Sequence, residues 1–202
     1  MIKTKTITLR TIDECDEELR KKIFNKYRYI ETETCDWVDN ESDIVSDMLN
    51  HDYGFICYKD DMHWDLSCCQ GSGASFTCSD FYWDRLLKDL DIRHKKWWCK
   101  YLDSCGFKII SIDYHYTHAY TKCWNTGDCV LDYRGAEHDY PHLSKEFDRI
   151  MQHIEDVRQE ACRVMYKQLW DDMEYYESDE YLYEYFNDNE TFFNEDGEIE
   201  YV

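Results

Sequence analysis

Hydrophobic and polar residues follow two different spacings along the chain, which together predict both strands and helices. From residue 2 to residue 10 apolar and polar positions alternate and threonines are frequent, as in a strand with one solvated face. Thr11-Ile12-Asp13-Glu14 then has the composition of a capping box, in which the Thr and Glu side chains satisfy amides at a helix start. The helix predicted after it runs to about Tyr29, and its apolar face contains Leu19, Ile23, Phe24 and Tyr27.

A second helix is predicted from Asp36 to Asn50, with apolar residues on one side and carboxylates on the other. The residues that can face inward are Val38, Ile44, Val45, Met48 and Leu49. Asp36, Asp39, Asp43 and Asp47 recur at spacings of three and four residues. They therefore form a row of carboxylates about 5–6 Å apart on the other side of the helix.

The middle of the chain predicts several strands and two further helices. Short strands are expected at residues 54–58 and 63–69, and Gln70 to Phe76 is typical of a turn with a returning strand. Helices are predicted at 80–90 and 94–105, and Gly106 closes the second as a C-terminal cap. Residues 107–120 alternate well, and a strand returns at 129–133.

A long helix is predicted from near Pro141 to about Tyr175. Its apolar residues recur at alternating spacings of four and three, over about three heptads: Leu143, Phe147, Ile150, Ile154, Val157, Ala161 and Val164. This seam fits a helix that packs on a sheet or on a neighbouring helix, and it also fits a homodimer interface through residues 143–164. A short helix that begins at Ser178 and a final hairpin from Phe192 to Val202 complete the predicted elements.

These elements predict an α+β fold, in which an antiparallel sheet of about four to six strands packs against several helices. We expect residues 1–142 to form the α+β core. Residues 143–202, which hold the long helix and an acidic, aromatic-rich segment, are expected to pack on that core in a single compact unit. The length of 202 residues suits one domain, with or without an appendage.

Composition narrows the class of protein further. The N-terminus has no apolar signal core, and no run approaches the roughly 18 apolar residues of a membrane-spanning helix, so we expect a cytoplasmic protein without a membrane partner. Aromatic residues make up 17% of the chain, which argues against a disordered polyanion. The net charge is −21, from 23 basic and 44 acidic residues, so we expect no direct nucleic-acid binding, because carboxylates repel phosphates.

The negative charge is concentrated in two blocks. Residues 31–92 contain 3 basic and 15 acidic residues, and residues 171–202 contain 13 acidic residues and no Lys or Arg. Such blocks keep a protein soluble, but folding must hold their carboxylates together against repulsion, which favours a binding surface for a cationic partner. The predicted contact residues are Asp36, Asp39, Asp43, Asp47, Asp171, Asp172, Glu174, Glu177, Asp179 and Glu180.

The second acidic block differs from a disordered acidic tail because aromatic residues are interleaved with its carboxylates. They are Tyr175, Tyr176, Tyr181, Tyr183, Tyr185, Phe186, Phe192 and Phe193. Aromatic side chains of this kind either dock the segment onto the fold or anchor a partner. The sequence leaves both roles open.

The remaining motifs specify no reaction. Gln70, Gly71, Ser72 and Gly73 have the composition of a phosphate-binding loop but lack its lysine, so they indicate a tight hairpin turn or a ligand loop. The histidines and cysteines between residues 115 and 142 could hold zinc only if they converge after the turn. None of the eleven cysteines has the C-x-x-C spacing of a zinc or redox site. Most of them fit reduced, buried positions, because free cysteine is among the most buried residue types. We therefore predict no catalytic residue, no metal and no cofactor.

Several segments resemble a family of small acidic proteins of bacteriophages and prophages. They are the opening from Thr11 to Arg28, the Cys35-Asp36-Trp37 entry to the second helix, the Gln70-Gly71-Ser72-Gly73-Ala74-Ser75-Phe76 turn, and the end from Met173 to Glu180 and from Phe193 to Gly197. The family's turn reads Q-G-[DS]-G-A-[SC]-F and its end E-Y-x-x-S-D-E…F-x-E-D-G, and Ser72 stands where the family often has Asp. The resemblance implies a phage accessory protein, and it brings no catalytic residues. Some members of the family carry an antitoxin-like label.

These observations lead to one hypothesis about function and one alternative. The hypothesis is a phage-encoded, non-enzymatic inhibitor whose acidic surface imitates a phosphate backbone. It would bind a basic, nucleic-acid-binding site of a host defence or toxin protein, such as a CRISPR or restriction component. The alternative is an enzyme, or a small-ligand or metal-binding protein, that uses the Gln70–Phe76 turn and nearby His and Cys residues.

Overall fold

The computed structural model describes residues 8–34, 36–66, 73–111, 129–132 and 144–201. Within these ranges the helices, in chain order, are α1 (Glu17–Tyr27), α2 (Asp36–Met48), α3 (Trp83–Leu86), α4 (Lys95–Ser104), α5 (Ser144–Tyr176) and α6 (Asp179–Asp188). The strands are β1 (Phe55–Ile56), β2 (Met62–Asp65), β3 (Gly73–Phe76), β4 (Asp80–Phe81), β5 (Lys108–Ser111), β6 (Cys129–Asp132), β7 (Phe192–Phe193) and β8 (Ile199–Glu200). Short 3-10 turns lie at Ile12–Glu14 and Lys59–Asp61, and a π-helical turn at Leu49–Tyr53 continues α2.

The mixture of helices and short antiparallel strands confirms the α+β class. In the described part of the chain the strands form four two-stranded antiparallel pairs, which are β1–β4, β2–β3, β5–β6 and β7–β8. The pairs β2–β3 and β5–β6 are the ones that the alternating patterns predicted. No sheet in these ranges exceeds two strands, so the predicted sheet of four to six strands is not confirmed.

The chain divides into two compact units. Unit 1 consists of Met1–Trp37 together with Asp171–Val202, and unit 2 consists of Val38–Trp170. This grouping places the two ends of the chain in one unit. The negative charge is divided unequally: unit 1 has 8 basic and 21 acidic residues, and unit 2 has 15 and 23.

Helix α1 of unit 1 begins later than the sequence predicted. The Thr11 amide does donate to Glu14 Oε2, at 3.0 Å, but this arrangement closes only the 3-10 turn. Asp16 is the true N-cap, because its Oδ1 accepts from the Leu19 amide at 2.8 Å. Two capping sequences therefore lie within six residues of each other, and the second begins the helix.

Both ends of the chain contribute to the core of unit 1. Its buried residues come from the N-terminal turn, from α1, from α6 and from β7: Ile12, Cys15, Leu19, Ile23, Phe24, Leu182, Phe186 and Phe193. Phe193 also pairs through its backbone with Arg10, with N···O distances of 2.8 and 2.9 Å. The predicted apolar face of α1, the tail helix and the final hairpin are all confirmed.

The long helix α5 supplies much of the core of unit 2. Phe147, Ile150, Ile154 and Ala161 of the predicted seam are buried within the chain, as expected for a helix that packs on its own fold. The homodimer through residues 143–164 stays a prediction. Charged residues occupy the other side of α5, and no described helix combines the length and the apolar character needed to cross a membrane.

The predicted helix at residues 80–90 is wrong for most of its length. Asp80 and Phe81 form strand β4, which pairs with Ile56 and Phe55, and only the single turn of α3 is helical. The partner strand lies some 25 residues earlier in the sequence. A local pattern therefore could not reveal this pairing.

We expect Gly54→Ala to lower the free energy of unfolding by about 2 kcal/mol. Gly54 has φ +83 at the end of the π-helical turn, and a Cβ there would lie 2.9 Å from the Tyr82 backbone oxygen. Gly106→Ala is the matched control, since Gly106 has φ +66 but open space around it. Urea denaturation should show a loss of about 1 kcal/mol for the control, and equal losses would contradict the backbone clash at Gly54.

Candidate functional site

The outward side of α2 presents two carboxylates and an apolar side chain. Asn40, Asp43, Ile44 and Asp47 are exposed on this side, and we call these four residues the α2 acidic face. Neither Asp43 nor Asp47 has a hydrogen bond or an ion pair to any described residue. Asp36 and Asp39 also belong to α2, as predicted, but their side chains lie outside what the structure describes.

The prediction that Ile44 faces inward is wrong, because its side chain is 55% exposed. The buried side of α2 is formed by Val38, Ser42, Val45 and Leu49, which follow each other at spacings of three and four. Ile44 shares the opposite side with Asn40 and Asp47, which are one turn away from it. An apolar residue between two carboxylates has the composition of an interface anchor with a polar rim.

Six of the predicted contact residues lie around the end of α5 and the start of α6, in unit 1. Asp171, Asp172 and Glu174 are in the last turns of α5, Glu177 follows the helix, and Asp179 and Glu180 begin α6. Asp171, Glu174, Asp179 and Glu180 are exposed, whereas Asp172 and Glu177 are half-buried. Glu174 and Glu180 make no hydrogen bond or ion pair with a described residue.

Arg28 gives two of these acidic residues an internal role. Its Nη2 lies 2.7 Å from Asp179 Oδ1, and its Nη1 donates to the backbone oxygen of Glu177 at 2.5 Å. Thr32 Oγ1 donates to Glu177 Oε1 at 2.9 Å. Glu177 and Asp179 therefore help to fasten the C-terminal segment to the N-terminal one.

Helix α1 also neutralises carboxylates further along the C-terminal segment. Lys22 lies 3.9 Å from Asp196, and Lys26 makes a closer ion pair with Glu198. The bond from Lys26 holds the pKa of Glu198 below its ordinary value. The excess of basic residues near the N-terminus, visible in the sequence, thus serves partly to balance the acidic segment within unit 1.

The aromatic residues of the C-terminal segment dock it onto unit 1. Phe186 and Phe193 are buried with their ring centroids 5.0 Å apart, and Tyr27 of α1 lies 5.9 Å from Phe186 in an edge-to-face arrangement. Burial and then the charge of Glu31 raise the pKa of Tyr181 to about 12. Of the two roles left open by the sequence, docking is observed, while Tyr175 remains exposed.

The structure describes only part of the predicted ligand turn. Gln70, Gly71 and Ser72 lie outside the described residues, and Gly73 begins β3. The histidines and cysteines proposed for a zinc site, from residue 115 to residue 142, also lie outside them, apart from Cys129, whose side chain is not described. Within the described ranges no group of three or more His, Cys, Asp or Glu side chains could hold a metal ion.

The cysteines that the structure describes match the expected reduced, buried state. Cys15, Cys57, Cys78 and Cys162 are buried, Cys99 and Cys105 are half-buried, and all six are free thiols. Burial raises the pKa of the Cys15 and Cys99 thiols, so both stay protonated at neutral pH. They have the properties of packing residues and not of nucleophiles.

Unit 2 also contains a charged cleft that the sequence did not predict. It lies between the π-helical turn at Leu49–Tyr53, the residues of and after α3, and the middle of α5, and its volume is about 290 Å³. His153, Asp156 and Glu160 recur along α5 at spacings of three and four, which is the signal that the sequence offered. The same spacing is typical of any solvated helix side, so it could not identify a cleft.

Comparisons with models of protein families, with curated proteins and with solved structures give no match to the chain. We therefore infer the function from the geometry and charge of the described residues. Two features stand out among them: the α2 acidic face of unit 2, and the acidic C-terminal segment of unit 1.

Proposed function

We propose that the chain is a phage-encoded, non-enzymatic inhibitor that binds a basic, nucleic-acid-binding site of a host defence or toxin protein. The observation that carries this proposal is the α2 acidic face, where Asp43 and Asp47 flank the exposed Ile44. Both carboxylates lack a hydrogen bond or an ion pair with any described residue. Their attraction for cations is therefore not used within the described structure.

The spacing of the carboxylates suits a partner that has evolved to hold phosphates. Side chains three or four residues apart on a helix lie about 5–6 Å from each other, so a basic groove can contact successive carboxylates as it contacts successive phosphates. Charge pairs steer association and fix the register of the complex. Ile44 adds an apolar contact that a nucleic acid backbone lacks, which favours a protein partner.

The C-terminal segment of unit 1 supports the same chemistry on a second surface. Residues 171–202 contain no Lys or Arg. Several exposed carboxylates of this segment have no hydrogen bond or ion pair with a described residue: Glu174, Glu180, Asp188, Glu190 and Glu195. The aromatic core of unit 1 holds this charge on a folded surface and not on a mobile tail.

The test is capture of partners from a lysate of a bacterial host, with the wild-type chain and the Asp43→Lys/Asp47→Lys variant. At low salt the wild-type chain should retain a nucleic-acid-binding protein, and added DNA or high salt should release it. With that partner purified, the double charge reversal should weaken binding at least about tenfold, because two attractive charge pairs become repulsive. Titration calorimetry measures the change.

The matched control is Asp103→Lys/Asp148→Lys, which changes the net charge equally at two other exposed carboxylates of unit 2. Its affinity should remain within about threefold of wild type, since exposed charges away from the contact contribute little. Ile44→Ser should weaken binding without changing the charge. Equal affinity of wild type and the Asp43→Lys/Asp47→Lys variant, with the fold intact, would reject the α2 acidic face as the contact.

A further inference from the structure

The charged cleft of unit 2 brings together residues from three distant parts of the sequence. The charged side chains that line it are Asp52, Arg85, Lys88, Asp89, Asp156 and Glu160. Its volume of about 290 Å³ is near the lower end of the range for small-molecule sites. The cleft therefore has room for a small molecule.

Two cations lie on one wall of the cleft, and each is held by backbone carbonyls. Arg85 Nη1 donates to the Asn50 oxygen at 2.9 Å and lies 3.1 Å from His51 Nδ1. Lys88 Nζ donates to the Asp52 oxygen at 3.2 Å. Since a guanidinium has five N–H donors and an ammonium has three, both cations keep donors that can bind a ligand.

The α5 wall carries carboxylates that keep acceptor capacity. Asp156 Oδ1 accepts a hydrogen bond from Gln152 Nε2 at 2.8 Å, so the other carboxylate oxygen can accept from a ligand. Glu160 forms an ion pair with Arg163 along the helix. Asp89, which lines the cleft from the segment after α3, has no hydrogen bond or ion pair with a described residue. Each carboxylate can accept more than one hydrogen bond.

The opposite charges of the cleft do not meet. Among the described residues, no carboxylate of the cleft lies within 4.0 Å of an Arg85 or Lys88 nitrogen. Asp52 and Asp89 lie near the two cations in sequence or contact, so the cleft is lined by separated charges of both signs. Such a lining attracts a molecule that carries both signs, because the molecule can pair with a cation and with a carboxylate. An ion of one sign would meet charges of its own sign in the same cleft.

His153 adds an oriented hydrogen-bonding group to the α5 wall. Its Nε2 lies 3.0 Å from the Leu86 backbone oxygen, and because a carbonyl only accepts, this nitrogen donates. In the neutral ring Nδ1 is then an acceptor. The side chains of Leu86 and Val157 supply the apolar part of the cleft lining.

We propose that this cleft binds a small zwitterion, an amino-acid-like molecule with one ammonium and one carboxylate group. Its carboxylate pairs with Arg85 and Lys88, and its ammonium pairs with Asp156 and the neighbouring acceptors of α5. The site is independent of the α2 acidic face, so either proposal can fail without the other.

The test is a titration of the full chain with glycine, β-alanine and γ-aminobutyrate, followed by amide NMR shifts around residues 85–88 and 153–160. The three probes place the same two charged groups one, two or three methylene groups apart. The probe that binds best therefore indicates the distance between the cations and the carboxylates of the cleft. We expect it to bind with a Kd of about 1 mM or lower. Two counterparts of the best probe carry one charge each: in one the carboxylate is replaced by an amide, and the other lacks the amino group. Both should bind at least about tenfold more weakly.

Two conservative variants locate the site. Lys88→Met and Asp156→Asn should each weaken binding of the best probe about tenfold, because each removes one charge from one wall. Lys100→Met and Asp148→Asn make the same changes at exposed positions outside the cleft and should bind as wild type does. The proposal is overturned if no zwitterion binds better than its singly charged counterparts, or if both cleft variants bind as well as wild type.

Discussion

Replacement of Phe193 by alanine is expected to lower the free energy of unfolding of unit 1 by about 3–5 kcal/mol. Phe193 is fully buried, contacts Phe186 edge-to-face and packs beside Tyr27. Its ring is the point at which β7 meets α1 and α6, and the surrounding backbone can close the resulting cavity only partly. Urea denaturation measures the loss, and faster hydrogen exchange at the Arg10 and Phe193 amides reports it locally.

Phe192→Ala is the matched control for this substitution. Phe192 is the neighbouring residue in the same strand, but it is only half-buried. Its truncation should cost about 1 kcal/mol, in proportion to the smaller apolar area that it buries. If both variants lost the same small amount, the C-terminal segment would not belong to the core of unit 1, and its aromatic residues would be available to anchor a partner.

Elements with many regularly spaced apolar residues could be predicted from the sequence. Helix α5 places an apolar residue on its core side in almost every turn, so its extent was predicted within a few residues. Strand β4 shows the opposite case, because two residues that resemble a helix start pair with β1, a distant segment. The secondary structure of a short segment depends on its distant pairing partner, and a local sequence pattern carries no information about that partner.

The acidic character of the candidate site could be predicted from the sequence, but the positions of its side chains could not. The spacing of the aspartates in α2 can be read from the sequence. The side on which Ile44 lies cannot, because the buried side of α2 includes the polar residues Ser42 and Glu41 while the apolar Ile44 is exposed. The internal pairs of Arg28 with Glu177 and Asp179 join segments about 150 residues apart. Neither composition nor spacing indicates such pairs, and the charged cleft of unit 2 was missed for the same reason.

The second large effect is expected at an ion pair in unit 2 that joins a buried arginine to a half-buried glutamate. Arg158 is only 2% exposed, and it donates to Glu155 through Nε at 2.9 Å and through Nη2 at 2.5 Å. Glu155→Gln should lower the free energy of unfolding by about 3 kcal/mol, because the buried guanidinium then loses the negative charge of Glu155. Thermal and urea denaturation at neutral pH measure this loss.

The dependence on pH provides an independent check of this pair. Burial acts to raise the pKa of Glu155, but the hydrogen bonds and the charge of Arg158 outweigh it and hold the pKa below its ordinary value. A carboxyl whose pKa is lowered by folding stabilises the protein above its unfolded pKa of about 4.3. This stabilisation is lost as the pH falls through the folded pKa, so wild type and Glu155→Gln should become more nearly equal in stability in acid.

Glu160→Gln is the matched control that shows how much stability the loss of an exposed ion pair costs. Glu160 and Arg163 have the same spacing on the same helix, but both side chains are well exposed, so their loss should cost less than about 1 kcal/mol. Glu155→Gln/Arg158→Met should recover most of the stability, because it removes the buried charge together with its partner. If Glu155→Gln costs no more than Glu160→Gln at neutral pH, the Arg158 guanidinium does not depend on Glu155 for its charge balance in the core of unit 2.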